Sequence, residues 1–211
     1  MKKILLSALV LFALSQAASA AASPKPYVGI GYQLNALNIN DDSINGIVLK
    51  GDKFLEDQLS NINVFAGLDF GNNLSAELGF FRKSGDKTNN STGLAWIDNN
   101  NALTTKSDST LQIINLDGIY SSPVASTFKL LAIASISQIN YKYDINFLDN
   151  GATRASVSIK DNGFGYGLGI GFEAKLIENL SARVTAKYVK TASIDAFDDM
   201  LIYNFGLKYG F

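Results

Sequence analysis

Between Phe164 and Phe172 the chain reads Phe-Gly-Tyr-Gly-Leu-Gly-Ile-Gly-Phe, with every second residue bulky and apolar and glycine at each place between. Side chains of an extended strand point alternately to opposite faces. Phe164, Tyr166, Leu168, Ile170 and Phe172 therefore share one face, and the other face is bare backbone. A helix would scatter those side chains around its circumference and carry about 1 kcal/mol of glycine cost at each interior glycine. Only a strand uses this pattern. The last segment repeats it: Leu201, Tyr203, Phe205, Leu207, Tyr209 and Phe211 lie on one face, and Ile202, Asn204, Gly206, Lys208 and Gly210 on the other.

Further segments alternate in the same way: 28–34, 62–70, 74–81, 114–120 and 180–188. The stretch Thr127 to Asn140 is apolar on both sides, so its pattern leaves the register open. Together these make eight strands. Short turns at Gly71-Asn72-Asn73, Ser121 to Ser126 and Ile177-Glu178-Asn179 alternate with longer, more polar connections at 36–60, 84–109, 141–161 and 190–199. Short turns at one end and long loops at the other predict an all-β, eight-stranded antiparallel up-and-down barrel. In membrane barrels of this kind the short turns are periplasmic and the long loops extracellular.

Volume decides which face is inside. An eight-stranded barrel has an interior just wide enough for side chains. Four to six large residues from each strand do not fit there, so the apolar face is expected outward, toward lipid. The glycine stripe then makes room for bulky inward groups such as Phe65, Phe81 and Arg183. Phe70, Tyr120, Phe128, Phe172, Tyr209 and Phe211 would form an aromatic girdle near the turns, with Tyr32, Phe80, Phe164, Tyr188 and Tyr203 near the outer rim.

The same registers turn Asp69, Glu77, Asp117 and Glu173 inward, against Lys175, Arg183, Lys187 and Lys208. Unpaired charge in a confined lumen costs several kcal/mol per ion, so this balance favours a salt-bridged plug over a narrow ion path. One pair is singled out by a short repeat. Asn73-Leu74-Ser75-Ala76-Glu77 recurs as Asn179-Leu180-Ser181-Ala182-Arg183, each copy opening a strand after a tight turn. Those strands are four apart, hence opposite in an eight-stranded barrel, and Glu77 and Arg183 are expected to meet across it.

Lys2 and Lys3, an apolar run from Ile4 to Leu14 and Ala18-Ser19-Ala20 describe a secretory signal peptide over residues 1–20. The run is too short to span a membrane as a helix. Residues 21–211 would then be the barrel, with 16 basic and 19 acidic residues, a net of −3. Absence of cysteine excludes disulfides and thiol nucleophiles, and absence of histidine excludes serine–histidine pairs and imidazole metal sites. No catalytic residue, cofactor or metal site is expected. Asp195, Asp198 and Asp199 lack regular calcium-ligand spacing, and the glycines lack the G-x-G-x-x-G spacing of a nucleotide site. A near-neutral chain gives no reason to expect nucleic acid.

The Tyr27-Val28-Gly29-Ile30-Gly31 start, the 164–172 stripe, the Asn179 to Arg183 segment and the aromatic end at Phe211 resemble small bacterial outer-membrane barrels of the OmpA-like, OmpX/Ail and opacity-protein group. The resemblance covers the mature chain, without a following peptidoglycan-binding domain. It implies residence in the outer membrane, surrounded by lipid and lipopolysaccharide. It also implies that the last strand, with Tyr203, Phe205, Leu207, Tyr209 and Phe211, is the signal read by the barrel-assembly machinery.

Function is then expected in the loops. The leading reading is an envelope-stabilising barrel whose loops adhere to a host surface; a narrow porin-like channel is the alternative, and a lipid-modifying enzyme is disfavoured by the missing histidine. The first loop is acidic (Asp41, Asp42, Asp52, Glu56 and Asp57 against Lys50 and Lys53), as is the last, so the rim repels anionic lipopolysaccharide unless divalent cations bridge. Trp96, the one tryptophan, falls in the second loop and is read as an extension of the strand.

Overall fold

The alternating segments pair, edge to edge, into a closed antiparallel barrel. The structure, a computed structural model, describes residues 23–39, 42–44, 47–49, 57–91, 103–149 and 152–211. In chain order the strands are β1 (Lys25–Ile39), β2 (Asp42–Ile44), β3 (Ile47–Leu49), β4 (Gln58–Gly71), β5 (Leu74–Ser91), β6 (Leu103–Pro123), β7 (Phe128–Asp149), β8 (Ala152–Ile177), β9 (Leu180–Ala192) and β10 (Phe197–Gly210). Strands β2 and β3 form a separate hairpin, and the other eight close in the order β1-β10-β9-β8-β7-β6-β5-β4. Each barrel strand pairs with its chain neighbours, and β10 closes the ring on β1, with Ile30 opposite Leu207. The turn between β4 and β5 holds Gly71, Asn72 and Asn73 at φ of 75°, 51° and 67°. Glycine and asparagine tolerate that left-handed backbone where bulkier residues do not.

The outward faces are those read from the alternation. Along β8, Phe164 through Phe172 expose their bulky side chains, as do Val28, Ile30 and Tyr32 on β1 and Phe205 and Leu207 on β10. Nine residues of β8 rise about 20 Å at the usual strand rise and tilt, close to the apolar band of a membrane barrel. In the open segment of β7, Leu131, Ile133, Ser135, Ser137 and Ile139 face inward, and Leu130, Ala132, Ala134 and Ile136 outward.

Two expectations are corrected. Most of 84–109 and 141–161 is not loop: β5, β6, β7 and β8 run on to 18, 21, 22 and 26 residues. Only residues 150–151 separate β7 from β8. The alternation continues there with inverted sense. On β7, Tyr141, Tyr143 and Ile145 are buried inside while Lys142, Asp144 and Asn146 face out. Period two is kept, but outside the membrane the solvent is water and the apolar side must turn inward. Second, the glycine stripe of β8 does not seat Phe65, Phe81 or Arg183. A Cβ at Gly165, Gly169 or Gly171 would lie 2.6, 2.6 or 2.8 Å from Val189, Lys187 or Thr185, so the stripe makes room for the inward side chains of neighbouring β9. Phe65 instead lies against Gly29. The signal segment 1–20, Trp96 and the first-loop residues Asp41, Lys50, Asp52, Lys53 and Glu56 lie outside the described residues.

Candidate functional site

Inward parity and proximity to the turns bring six of the eight predicted lumen charges together. The β5–β6 wall carries two carboxylates side by side, Glu77 and Asp117. Opposite them β9 carries Arg183 and Lys187, both turned to the inner face. The walls are tied across the lumen: Arg183 Nη1 donates to Glu77 Oε2 at 2.5 Å and Lys187 Nζ to Asp117 Oδ2 at 2.8 Å. Glu173 on β8 accepts from Arg183 Nε at 3.3 Å and from Lys208 Nζ of β10 at 2.7 Å. Three acids meet three bases, and of these only Lys208 is more than a tenth exposed.

The remaining two charges stay out of this network. Asp69 Oδ1 accepts from the Gly71 N–H at 2.9 Å, capping the β4–β5 turn. Lys175 is exposed where β8 loses register before its turn. Both point to the inner side by parity, but each lies near the turns, where the lumen opens to water and a charge needs no ion partner. Parity gives the face and not the depth.

Several participants carry no charge signal in the sequence. Tyr27 Oη donates to Glu77 Oε2 at 3.2 Å, and Ser135 Oγ to Asp117 Oδ1 at 2.5 Å. Arg183 also stands over the rings of Phe65 and Tyr27, at 5.1 and 5.8 Å from their centroids, and Lys208 over Tyr27 at 4.9 Å. Tyr27 is legible as the inward neighbour of outward Val28. Ser135 falls in the segment whose register the sequence leaves open.

Above the charges the lumen becomes apolar, which sequence reading missed. Leu59, Phe81, Leu111, Ile113, Ile139, Val189, Met200 and Ile202 are buried in one cluster, with Tyr141 edge-on to Phe197 at 5.4 Å. The short β9–β10 connection folds inward to supply Ile194 and Ala196 to this cluster. Between the apolar and ionic tiers lies a cavity of about 20 Å3 lined by residues including Gln33, Asn63, Asn115 and Asn204. That volume holds about one water. Asn63 Oδ1 is the one buried side-chain acceptor left without a partner among the described residues. Asp195 and Asp198 are exposed and, among the described residues, no acidic cluster is grouped to hold a metal.

A closed eight-stranded barrel with lipid-facing apolar strands and a charged inner wall defines the class of small outer-membrane barrels. The model of the outer membrane protein beta-barrel domain matches residues 6–211, and the chain belongs to that family. Solved structures agree in fold. Ail, the attachment invasion locus protein of Yersinia pestis, matches with a TM-score of 0.55 at 12% identity, over 90% of this chain and 99% of that one. Neisserial surface protein A matches with a TM-score of 0.57 at 14% identity, over 88% and 97%. The outer membrane protein OprG of Pseudomonas aeruginosa matches with a TM-score of 0.53 at 14% identity, over 90% and 97%. No curated protein matches the chain.

Proposed function

We propose that the chain is a non-enzymatic outer-membrane barrel with a sealed lumen, which contributes to envelope structure and carries adhesive loop tips clear of the lipid. The observation that carries this reading is the continuation of β5–β8 past the apolar band with an apolar inner core. From Asn162 to Ala152, β8 extends about 25 Å further at the usual strand rise and tilt. On β7 the described part of this stalk packs Tyr141, Tyr143 and Ile145 inside and turns Lys142, Asp144 and Asn146 to the outside. The seal rests on two tiers, the ionic ties and the apolar cluster above them. Residues 1–20 serve as an export signal, residues 21–211 as the barrel, and β10 as the segment handed to the assembly machinery.

Ail is named for attachment and has also been solved with the heparin analogue sucrose octasulfate. For this chain the adhesive role is supported by the stalk, and a host-surface polymer is the class of ligand it would present to. Planar-bilayer recording of the purified protein tests the seal, with no conductance steps expected; stable open channels would make it a narrow pore instead. Shortening the tips around 92–102 and 150–151 should abolish cell binding while leaving the folded barrel, and unchanged binding would remove the adhesive role.

A further inference from the structure

We propose that the turn-side mouth of the barrel binds an acidic peptide segment of a periplasmic partner. This rests on the membrane placement given above, which makes that end periplasmic. A row of donors on the inner wall carries it. Lys175 of β8 and Lys208 of β10 are both direct cross-strand partners of Ser181 on β9. On the other side the Lys175 N–H donates to the Thr127 carbonyl oxygen at 2.8 Å, which sets Thr127 beside it. Across four adjacent segments the row therefore reads Thr127, Lys175, Ser181, Lys208. The face is fixed one row deeper, where Glu173 and Arg183 meet inside the lumen and Lys208 reaches Glu173.

Protein carboxylates do not balance this row. Both oxygens of Glu173 are engaged, Oε1 by Lys208 and Oε2 by Arg183. Lys129 is the cross-strand partner of Glu173 on β7. Neither it nor Lys175 makes an ion pair among the described residues, Glu178 of the adjoining turn included. Across the mouth Lys25 faces Asp69 directly, so charge is matched there. The excess of cations thus falls on the β7–β10 side of an opening that meets water. Width selects the ligand. Strands lie about 4.8 Å apart, so Lys175 and Lys208 stand roughly 10 Å apart at their bases. A single phosphate is a few ångströms across and engages one end of the row. Alternate side chains of an extended peptide are about 7 Å apart on one face, and lysine stems absorb the difference. Two glutamates so spaced meet both lysines, with the Ser181 hydroxyl between them.

The test uses the full barrel folded in phosphatidylcholine nanodiscs, which leave both ends open. The probe is a short fluorescent peptide of alternating glutamate and alanine, followed by anisotropy at low salt. An exposed ion pair is worth up to about fivefold in affinity. Lys175→Gln should thus weaken binding about three- to fivefold, and Lys129→Gln with Lys175→Gln about ten- to twentyfold. Lys106→Gln, at the far end of β6, should change nothing. Raising the salt to about 1 M, where screening acts within about 3 Å, should release the peptide. Unchanged binding by the double variant, equal binding of a glutamine-for-glutamate peptide, or displacement by an equal concentration of inorganic phosphate would each overturn the site. On cells, the peptide fused to a carrier protein should bind only after the outer membrane is permeabilised. Binding to intact cells that Lys175→Gln weakens would put this mouth outside and defeat the membrane placement instead.

Discussion

Arg183 is the residue whose loss the barrel should feel most, because one guanidinium serves Glu77, Glu173 and two aromatic faces. Arg183→Met keeps an apolar stem and removes the charge, leaving two buried carboxylates, of which Glu173 retains Lys208 and Glu77, among the described residues, the Tyr27 hydroxyl. Breaking one buried pair costs about 3–5 kcal/mol, and two contacts are broken here, so the upper end of that range, about 5 kcal/mol, is expected. Against a total stability of about 5–15 kcal/mol this is a third or more. Adding Glu77→Leu removes the stranded carboxylate, and the doubly apolar variant should recover about 2–3 kcal/mol of the loss. The charge exchange Glu77→Arg with Arg183→Glu should recover less, since the carboxylate introduced at 183 then faces Glu173 across β8–β9. The assay is urea titration in phosphatidylcholine vesicles, scored by heat-modifiable gel migration. If the Arg183→Met and Glu77→Leu costs add to within about 0.5 kcal/mol, as independent sites do, the two side chains do not interact and the cross-lumen tie is refuted.

Other perturbations separate the tiers. A Cβ at Gly169 would lie 2.6 Å from Lys187 Cγ and 2.7 Å from the Ala186 carbonyl oxygen. Gly169→Ala should therefore cost about 1–3 kcal/mol by overpacking. A Cβ at Gly79 would meet nothing closer than the Asn115 side chain at 3.8 Å. Gly79→Ala should be neutral to within about 0.5 kcal/mol in the same titration. Phe197 is fully buried in the apolar tier. Phe197→Ala should cost about 3–5 kcal/mol without opening a conductance, because the ionic tier below remains closed. Removing Phe211, whose ring meets Tyr209 edge-on at 5.4 Å, should lower the yield of folded barrel in outer-membrane fractions more than it lowers the urea midpoint of what does fold.

Where burial and periodicity agree, the sequence was sufficient. The stripe from Phe164 to Phe172 determined a strand, a face and, through volume, the side that meets lipid. The repeat at Asn73 and Asn179 placed two strand starts, and the strand count set them opposite, which brings Glu77 to Arg183. Three features were not legible, each for a physical reason. From Thr127 to Asn140 both faces are apolar because one meets lipid and the other packs inside, Leu131 and Ile133 with Ile119 and Ile139 with Ile113, so no contrast marks the register. Tyr141, Tyr143 and Ile145 keep period two, but the rule that apolar means outward fails once the strand leaves the bilayer, and the segment reads as a polar loop. Asp69 and Lys175 share parity with the network residues, and one-dimensional pattern carries no measure of how close a position lies to the open end.

The ties across the lumen also bear on how the barrel comes together. Glu77 and Arg183 are separated by 106 residues, and Asp117 and Lys187 by 70, so neither tie forms by local zipping of hairpins. They form when β9 has swung round to face β5. Until then an incomplete sheet holds Glu77 and Asp117 on one stretch of chain and Arg183, Lys187 and Lys208 on another, with only Glu173 beside those cations. Burying either stretch in hydrocarbon without the other costs several kcal/mol per ion. Partly wound intermediates are therefore penalised in lipid, and the two cross-lumen ties are gained only with the completed ring, whereas Glu173 meets Arg183 within the β8–β9 hairpin. The two cross-lumen ties thus favour insertion as a finished cylinder over growth strand by strand within the bilayer.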